Sequence, residues 1–336
     1  MKTVVVTGGA GFIGSHLCDA LLKAGKRVIA VDSFNDYYDP QIKRSNVKEA
    51  QRIVAACVLP ADRYTVAEGD IRDFAFLNRL FEENRVDTIV HLAAYAGVRP
   101  SIQNPALYTD VNINGTVNLL EISKKHHIRQ FVFASSSSVY GNNAKVPFSE
   151  KDAVDFPISP YAATKKAGEL LGHTYHHLYG INMACLRFFT VYGPRQRPDL
   201  AIHKFTKLIS EGLPVPYYGD GSTERDYTYI EDIIDGVTKA IEWVGVGEGK
   251  YEVFNLGESG TIRLSRMVEA IEQALGKKAV LDKMPMQPGD VDRTFADVGL
   301  AKQILGYSPR WRFEDGIHRF VEWFEASEAR RGSLSR

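Results

Sequence analysis

Cysteine is scarce in this chain: three residues among 336, Cys18, Cys57 and Cys185, far apart and odd in number. That excludes a disulfide framework and a paired-cysteine zinc site, and it predicts reduced thiols in a cytoplasmic protein. Long apolar runs are missing as well; none reaches the about 18 residues that a membrane span requires. The opening MKTVVVTGG has too short an apolar part, and no cleavage site, to read as a signal peptide. Excess charge of either sign is also absent, with 41 Lys and Arg against 41 Asp and Glu. No global field therefore draws the chain to nucleic acid or an anionic membrane, and an anionic ligand must be met by a few placed cations. Internal repeats and low-complexity segments are lacking too.

What is present is ordinary globular material, 44% hydrophobic, long enough for two lobes. TVVVT, RVIAVD, RYTVAEGD, VDTIVHLAA, RQFVFASS and NMACLRFF are strand candidates, each separated from the next by a helical stretch. Strands alternating with helices predict a doubly wound α/β fold around a parallel sheet. After about residue 188 the pattern loosens into loops rich in Gly, Pro and charge, joined by helices such as IRLSRMVEAIEQALG. The expected division is a Rossmann-type domain over 1–187, with a later segment returning to it near 229–256. A smaller α/β ligand lobe occupies most of 188–336. The terminal ARRGSLSR is expected to fray.

The stretch TGGAGFIG sets Gly8, Gly9, Gly11 and Gly14 between the first strand and the first helix. Missing Cβ atoms allow a tight turn and let a pyrophosphate approach a helix N-terminus, whose N–H groups lack partners. The strand–turn–helix context is what lifts the motif above chance. VIAVD then ends in Asp32, a carboxylate suited to ribose hydroxyls and repellent to a 2′-phosphate, so the predicted cofactor is NAD. Asp70 and Ile71, in GDIRD, suit the adenine edge, with Asp70 equally readable as a helix cap.

Tyr161 and Lys165 in YAATK are four residues apart and share a helix face. A tyrosine acting as a base near neutrality needs its pKa lowered by roughly three units, worth about 4 kcal/mol. An ammonium at about 5 Å, at an effective dielectric of about 20, supplies on the order of 3 kcal/mol. A positive nicotinamide ring can provide the remainder. Twenty residues earlier, SSSSVYG delivers four hydroxyls to the C-terminal end of a strand, where ligands bind in such sheets. Ser136 is the first candidate for a proton relay. Ser137 and Ser138 either orient substrate or serve the backbone.

TGGAGFIG, HLAAYAGVR, SSSSVYG, YAATKKAGE and RFFTVYGP together resemble the extended short-chain dehydrogenase/reductase family, in its nucleotide-sugar branch, over nearly the whole chain. Within that branch DSFNDYYDPQIKR, GPRQRPD, RDYTYIEDI and PMQPGDV resemble the UDP-glucuronate 4-epimerases. The resemblance implies a catalytic trio of Ser136, Tyr161 and Lys165. It implies an NAD that stays bound and touches Gly8, Gly11, Phe12, Ile13, Gly14, Asp32, Asn35, Asp70, Ile71, Leu92, Ala93 and Ala94 besides Tyr161 and Lys165. For the UDP-sugar it implies Ser136, Ser137, Ser138, Thr190, Arg197, Lys204, Tyr217, Arg225 and Gln287. The implied reaction is oxidation at C4, rotation of the 4-keto sugar, and reduction on its other face, turning UDP-glucuronate into UDP-galacturonate. Family members pair as homodimers through four helices, here those containing GTVNLLEISKK and YAATKKAGELLGHTYHHLYG.

The alternatives differ by single residues. Related 4,6-dehydratases carry an Asp-Glu pair where this chain has Ser137 and Ser138. UDP-glucose/galactose 4-epimerases have an Asn-containing stretch at the position of Thr190. UDP-glucuronate decarboxylases, which form UDP-xylose, tend to carry His at the position of Arg197, a residue that in an epimerase pins the sugar carboxylate. The plainer reading of Arg197 is a solvated loop cation. GDVDRTFAD departs from the family's usual GDVPATYAD at Asp292 and Arg293, which opens the detail of the diphosphate contacts. Among nine histidines, His173 and His177 have i,i+4 spacing but no third ligand follows, so no metal is expected. A non-catalytic NAD sensor of the same fold is the remaining class, and it would be expected to have lost Tyr161 or Lys165.

Overall fold

A computed structural model describes residues 2–285 and 293–334. Seven strands form the main sheet: β1 (Thr3–Thr7), β2 (Arg27–Asp32), β3 (Tyr64–Glu68), β4 (Thr88–His91), β5 (Gln130–Ser136), β6 (Asn182–Phe188) and β7 (Tyr251–Leu256). Their spatial order is β7-β6-β5-β4-β1-β2-β3, and every ladder is parallel. Parallel strands covered on both faces need apolar residues at every position rather than at alternate ones. All of β1 and all of β6 are buried accordingly. Val5 pairs with Ile29 on one side and Ile89 on the other. Successive strands are added in one direction from β1 and in the other from β4, and this switch between β1 and β4 opens a crevice at their C-terminal ends.

Two apolar cores flank the sheet. One, containing Val4, Leu17, Val28, Leu186 and Phe254, continues past the sheet into Ile202, Ile230, Ile271 and Phe320. The other holds Val5, Leu77, Leu119, Phe131 and Met183. Beyond β6 three small strand pairs appear: Thr190–Tyr192 beside Tyr227–Tyr229, Glu224–Arg225 beside Ile262–Arg263, and Pro214–Tyr218 beside Val280–Met284. Tyr192 is the hinge of an aromatic cluster with Tyr227, Tyr229 and Phe313. The final helix runs Phe313–Leu334, so the backbone stays helical well into the segment expected to fray.

His91 lies inside the sheet with both ring nitrogens engaged, Nδ1 by Thr7 Oγ1 at 2.8 Å and Nε2 by Thr116 Oγ1 at 3.0 Å. Burial holds its pKa down at about 3, so the ring is neutral. Among the described residues no group of three or more His, Cys, Asp or Glu side chains could hold a metal ion, and no helix is long and apolar enough to cross a membrane. Cys18, Cys57 and Cys185 are free.

Candidate active site

Along the C-terminal ends of the strands runs a cavity of about 860 Å³. Its floor is the turn after β1. Gly8 adopts φ +69, and a Cβ there would come within 2.9 Å of the Ala93 nitrogen. A Cβ on Gly14 would stand 2.1 Å from the Gly8 carbonyl oxygen, so only glycine lets helix and turn meet this closely. The first helix, Phe12–Lys23, starts at Gly11 with no capping side chain and no acidic residue in its first turn. Its leading N–H groups are thus left for an anion.

Asp32 ends β2 and accepts from Ala10 N at 3.1 Å and Phe34 N at 2.9 Å. It ties the glycine turn to the neighbouring strand end. Lys43, absent from the sequence reading, is buried 3.8 Å from Asp32 and donates to the Asn35 side chain at 2.9 Å. Burial lowers its pKa and the Asp32 charge opposes that. Asp70 is not the cap of the helix Phe74–Glu83; that role belongs to Asp73. Asp70 accepts from the Arg72 backbone and its guanidinium, both at 2.8 Å, and this pairing holds its carboxyl below the usual range. Uncapped N–H groups, a glycine cradle and a carboxylate at the end of β2 fit a dinucleotide.

On the opposite wall Ser159 caps the helix Pro160–Tyr179 and Pro160 occupies its first position, which fixes Tyr161 in the opening turn. Ser136 stands beside Tyr161 and favours its phenolate, against the larger effect of burial. Ser136 Oγ also accepts from Ser138 N at 3.2 Å and lies 3.0 Å from Ser138 Oγ. Lys165 Nζ donates to Ala134 O at 2.7 Å and lies 5.8 Å from the Tyr161 ring centre. Burial pushes the Tyr161 phenol up, and it pushes Lys165 down to about 7. The polypeptide alone therefore leaves the phenol neutral, because desolvation penalises both charges at once.

Asn112 was also not foreseen. It sits in a short π-helix, Asp110–Asn114, and grips Tyr95, accepting from its N–H on Oδ1 at 2.9 Å and donating from Nδ2 to its O at 3.0 Å. The same Nδ2 reaches Thr164 Oγ1 at 3.0 Å, so one amide joins the loop after β4 to the helix of Tyr161. Ser135 also borders the cavity, but its hydroxyl is committed to Glu169, to which it donates at 2.6 Å.

Of the residues singled out from the sequence, the cavity is lined by Gly8, Gly11, Phe12, Ile13, Gly14, Asp32, Asn35, Asp70, Ile71, Leu92, Ala93 and Ala94 on the dinucleotide side. Around its other end stand Ser136, Ser137, Ser138, Tyr161, Lys165, Thr190, Arg197 and Arg225. Lys204 is exposed on the helix Ala201–Glu211, outside this lining. Tyr217 is buried with its hydroxyl 3.5 Å from Asp220 O, also outside it. Gln287 lies outside the described residues. Arg99, not singled out, lines the cavity too.

Fold and cavity together define a Rossmann-type, NAD-dependent class of protein. The chain matches the model of the GDP-mannose 4,6 dehydratase family over residues 5–320, and it belongs to that family, within the extended short-chain dehydrogenase/reductases. It is 45% identical over 337 residues to UDP-glucuronate 4-epimerase 4 of Arabidopsis thaliana, a match covering 96% of this chain and 75% of that one. It is similar to the crystal structure of UDP-glucuronic acid 4-epimerase from Bacillus cereus in complex with UDP-glucuronic acid and NAD, at 36% identity and a TM-score of 0.86, covering 97% and 100% of the two chains. The UDP-glucose 4-epimerase of Thermotoga maritima, with UDP-glucose, also superposes at 0.86, with 32% identity and coverage of 97% and 100%. The backbone alone thus does not separate an acidic from a neutral sugar.

Proposed function

We propose that the protein epimerises UDP-glucuronate at C4, giving UDP-galacturonate. The observation that carries the acidic sugar is a cation, Arg197, lining the cavity together with Thr190, the serine turn and Tyr161. Arg197 and Tyr161 are near enough for each to bias the other's charge. A guanidinium there suits a carboxylate beside the reacting carbon.

NAD would be held by the glycine turn and the end of β2 at Asp32, and would supply reversible hydride transfer at C4. The residues of the chain handle the proton and the sugar. Tyr161 takes the 4-OH proton, directly or through Ser136, which already favours its phenolate. Lys165, held over the end of β5 by Ala134 O, favours the phenolate once a cationic ring shares the site. Ser137 and Ser138 supply hydroxyls on further sides of a turning ring. Arg225, which also lines the cavity, answers the diphosphate. Residues 1–187 with the returning segment 229–256 serve as the NAD domain, and most of 188–336 as the sugar-nucleotide lobe. Leu170 and Leu178, 57% and 59% exposed on the helix Pro160–Tyr179, support a homodimer through this helix and Gly115–Lys125. Unpaired thiols support a reducing, cytoplasmic setting.

The test is carbon NMR of UDP-glucuronate labelled at the carboxyl, incubated with the purified protein. A new uronate signal with the label retained is expected. Loss of the label as CO₂ with a pentose product makes the protein a decarboxylase, and turnover confined to UDP-glucose makes it a neutral-sugar epimerase.

A further inference from the structure

Arg197 is fixed from every direction except one. Its loop is wound through two left-handed positions, Gly193 at φ +138 and Arg195 at φ +63. The loop is then nailed to its surroundings. Arg195 pairs with Asp19 of the first helix at 2.8 Å, and His16 Nε2 donates to Pro194 O at 2.9 Å. Gln196 Nε2 donates to Val191 O at 3.1 Å, and His203 Nδ1 donates to Gln196 O at 2.7 Å. The side chain is held as firmly. One face of the guanidinium lies 5.1 Å from the Tyr37 ring centre, and the Tyr37 hydroxyl is itself bonded to Ala96 O. The Nε and Nη2 edge is taken by Asp199 at 2.9 and 2.7 Å, a two-point carboxylate pair. Nη1 donates to nothing among the described residues.

Asp199 lies outside the cavity lining, and its side chain is 44% exposed against 17% for Arg197. It therefore acts on a ligand only through the arginine. We propose that Asp199 is a specificity-determining positioning residue: by occupying the side edge of Arg197 it leaves only the Nη1/Nη2 end, so that a uronate carboxylate is taken end-on. This rests on the uronate reading above.

The consequence is chemical. A 4-keto uronate, which oxidation at C4 would give, is a β-keto acid. If its C5–C6 bond aligns with the ketone π-system, that bond breaks, the electron pair enters the C4–C5 enolate, CO₂ departs, and C5 takes a proton. An end-on grip restrains the carboxylate against that alignment. Freed of Asp199, Arg197 can offer its side edge and its full charge. It then binds the uronate more tightly and in a different orientation.

The experiment compares the wild type with Asp199→Asn and Asp199→Ala, each as isolated with its cofactor. Equilibrium titrations with UDP-glucuronate and UDP-glucose are run beside the carboxyl-label assay. The expected result is uronate binding about two- to fivefold tighter, the equivalent of one exposed ion pair, with UDP-glucose binding unchanged. Epimer formation should slow and labelled CO₂ should appear, more in Asp199→Ala than in Asp199→Asn, which keeps one acceptor. Equal weakening of both nucleotides indicates a structural role and overturns the proposal. So does an unchanged product ratio in a variant that still epimerises. A wild type that turns over UDP-glucose alone overturns the uronate reading and this inference with it.

Discussion

Tyr161, Lys165 and Glu169 follow one another at four-residue intervals on one helix, yet the two ends of that series are built on opposite rules. Around Glu169 every demand is met: Arg187 approaches in a fork at 2.9 and 2.9 Å, Ser135 donates at 2.6 Å, and Arg187 also reaches Tyr140, which continues to Asn255 at 2.7 Å. These partners hold the Glu169 carboxyl below its usual range despite deep burial. One turn earlier, Lys165 is equally buried but has a carbonyl as its hydrogen-bond acceptor and no carboxylate, and its pKa falls to about 7. A satisfied buried network holds structure, and a charge left partly unsatisfied stays available to a reaction.

The sharpest way to break this contrast is at the reactive end. Tyr161→Phe should lower epimerisation by on the order of 10²–10⁴-fold while UDP-sugar affinity and thermal midpoint stay near wild type. Turnover assays beside calorimetric titration check this, and retained turnover would remove Tyr161 from the chemistry. At the structural end, Arg187→Met leaves the buried Glu169 with only the longer Lys166 contact, at 3.4 Å, as counter-charge and should destabilise the fold by about 3 kcal/mol. Denaturant unfolding measures it. If stability holds, the network is not what secures β6 to the helix.

The next effect depends on pH. The folded pKa of Lys165, about 7, lies below its ordinary value of 10.5. Between these values the unfolded chain binds the extra proton, so this group's contribution to stability rises as pH rises. Its burial penalty is greatest below about pH 7 and fades toward 10.5. Lys165→Met should therefore be more stable than wild type at neutral pH, by a few kcal/mol at roughly 1.4 kcal/mol per pH unit, with the advantage shrinking as pH increases. Unfolding free energies of both proteins across that window check the sign. A constant difference would show that Lys165 is not desolvated.

How much of this was legible in sequence follows from the range of each signal. The glycine turn and Asp32 could be read because their geometry is local: β1, a tight turn, a helix, then the end of the adjacent strand. Tyr161 and Lys165 could be read because helical spacing alone puts them on one face. Lys43 and Asn112 could not, since each acts on a partner that only folding brings near, Asp32 in one case and Tyr95 in the other. Lys204 illustrates the converse. Its helix turns that position to solvent, while Ile202, His203 and Phe205 take the buried face. The pairing of Arg197 with Asp199 is local, but a two-residue spacing in a loop carries no rule that predicts it.

The serine run divides along the same line and gives the smallest test. Ser135 and Ser136 are adjacent, yet the first belongs to the Glu169 network and the second to Tyr161. Ser135→Ala removes one hydrogen bond to a buried carboxylate that keeps its arginine, so stability should fall by about 1 kcal/mol with turnover unchanged. Ser136→Ala should do the reverse, slowing turnover and leaving the unfolding midpoint almost unmoved. Loss of activity in both variants would mean that the strand end acts as one unit and that the division between holding and reacting does not reach the scale of neighbouring residues. Opposite responses would place its boundary at a single peptide bond.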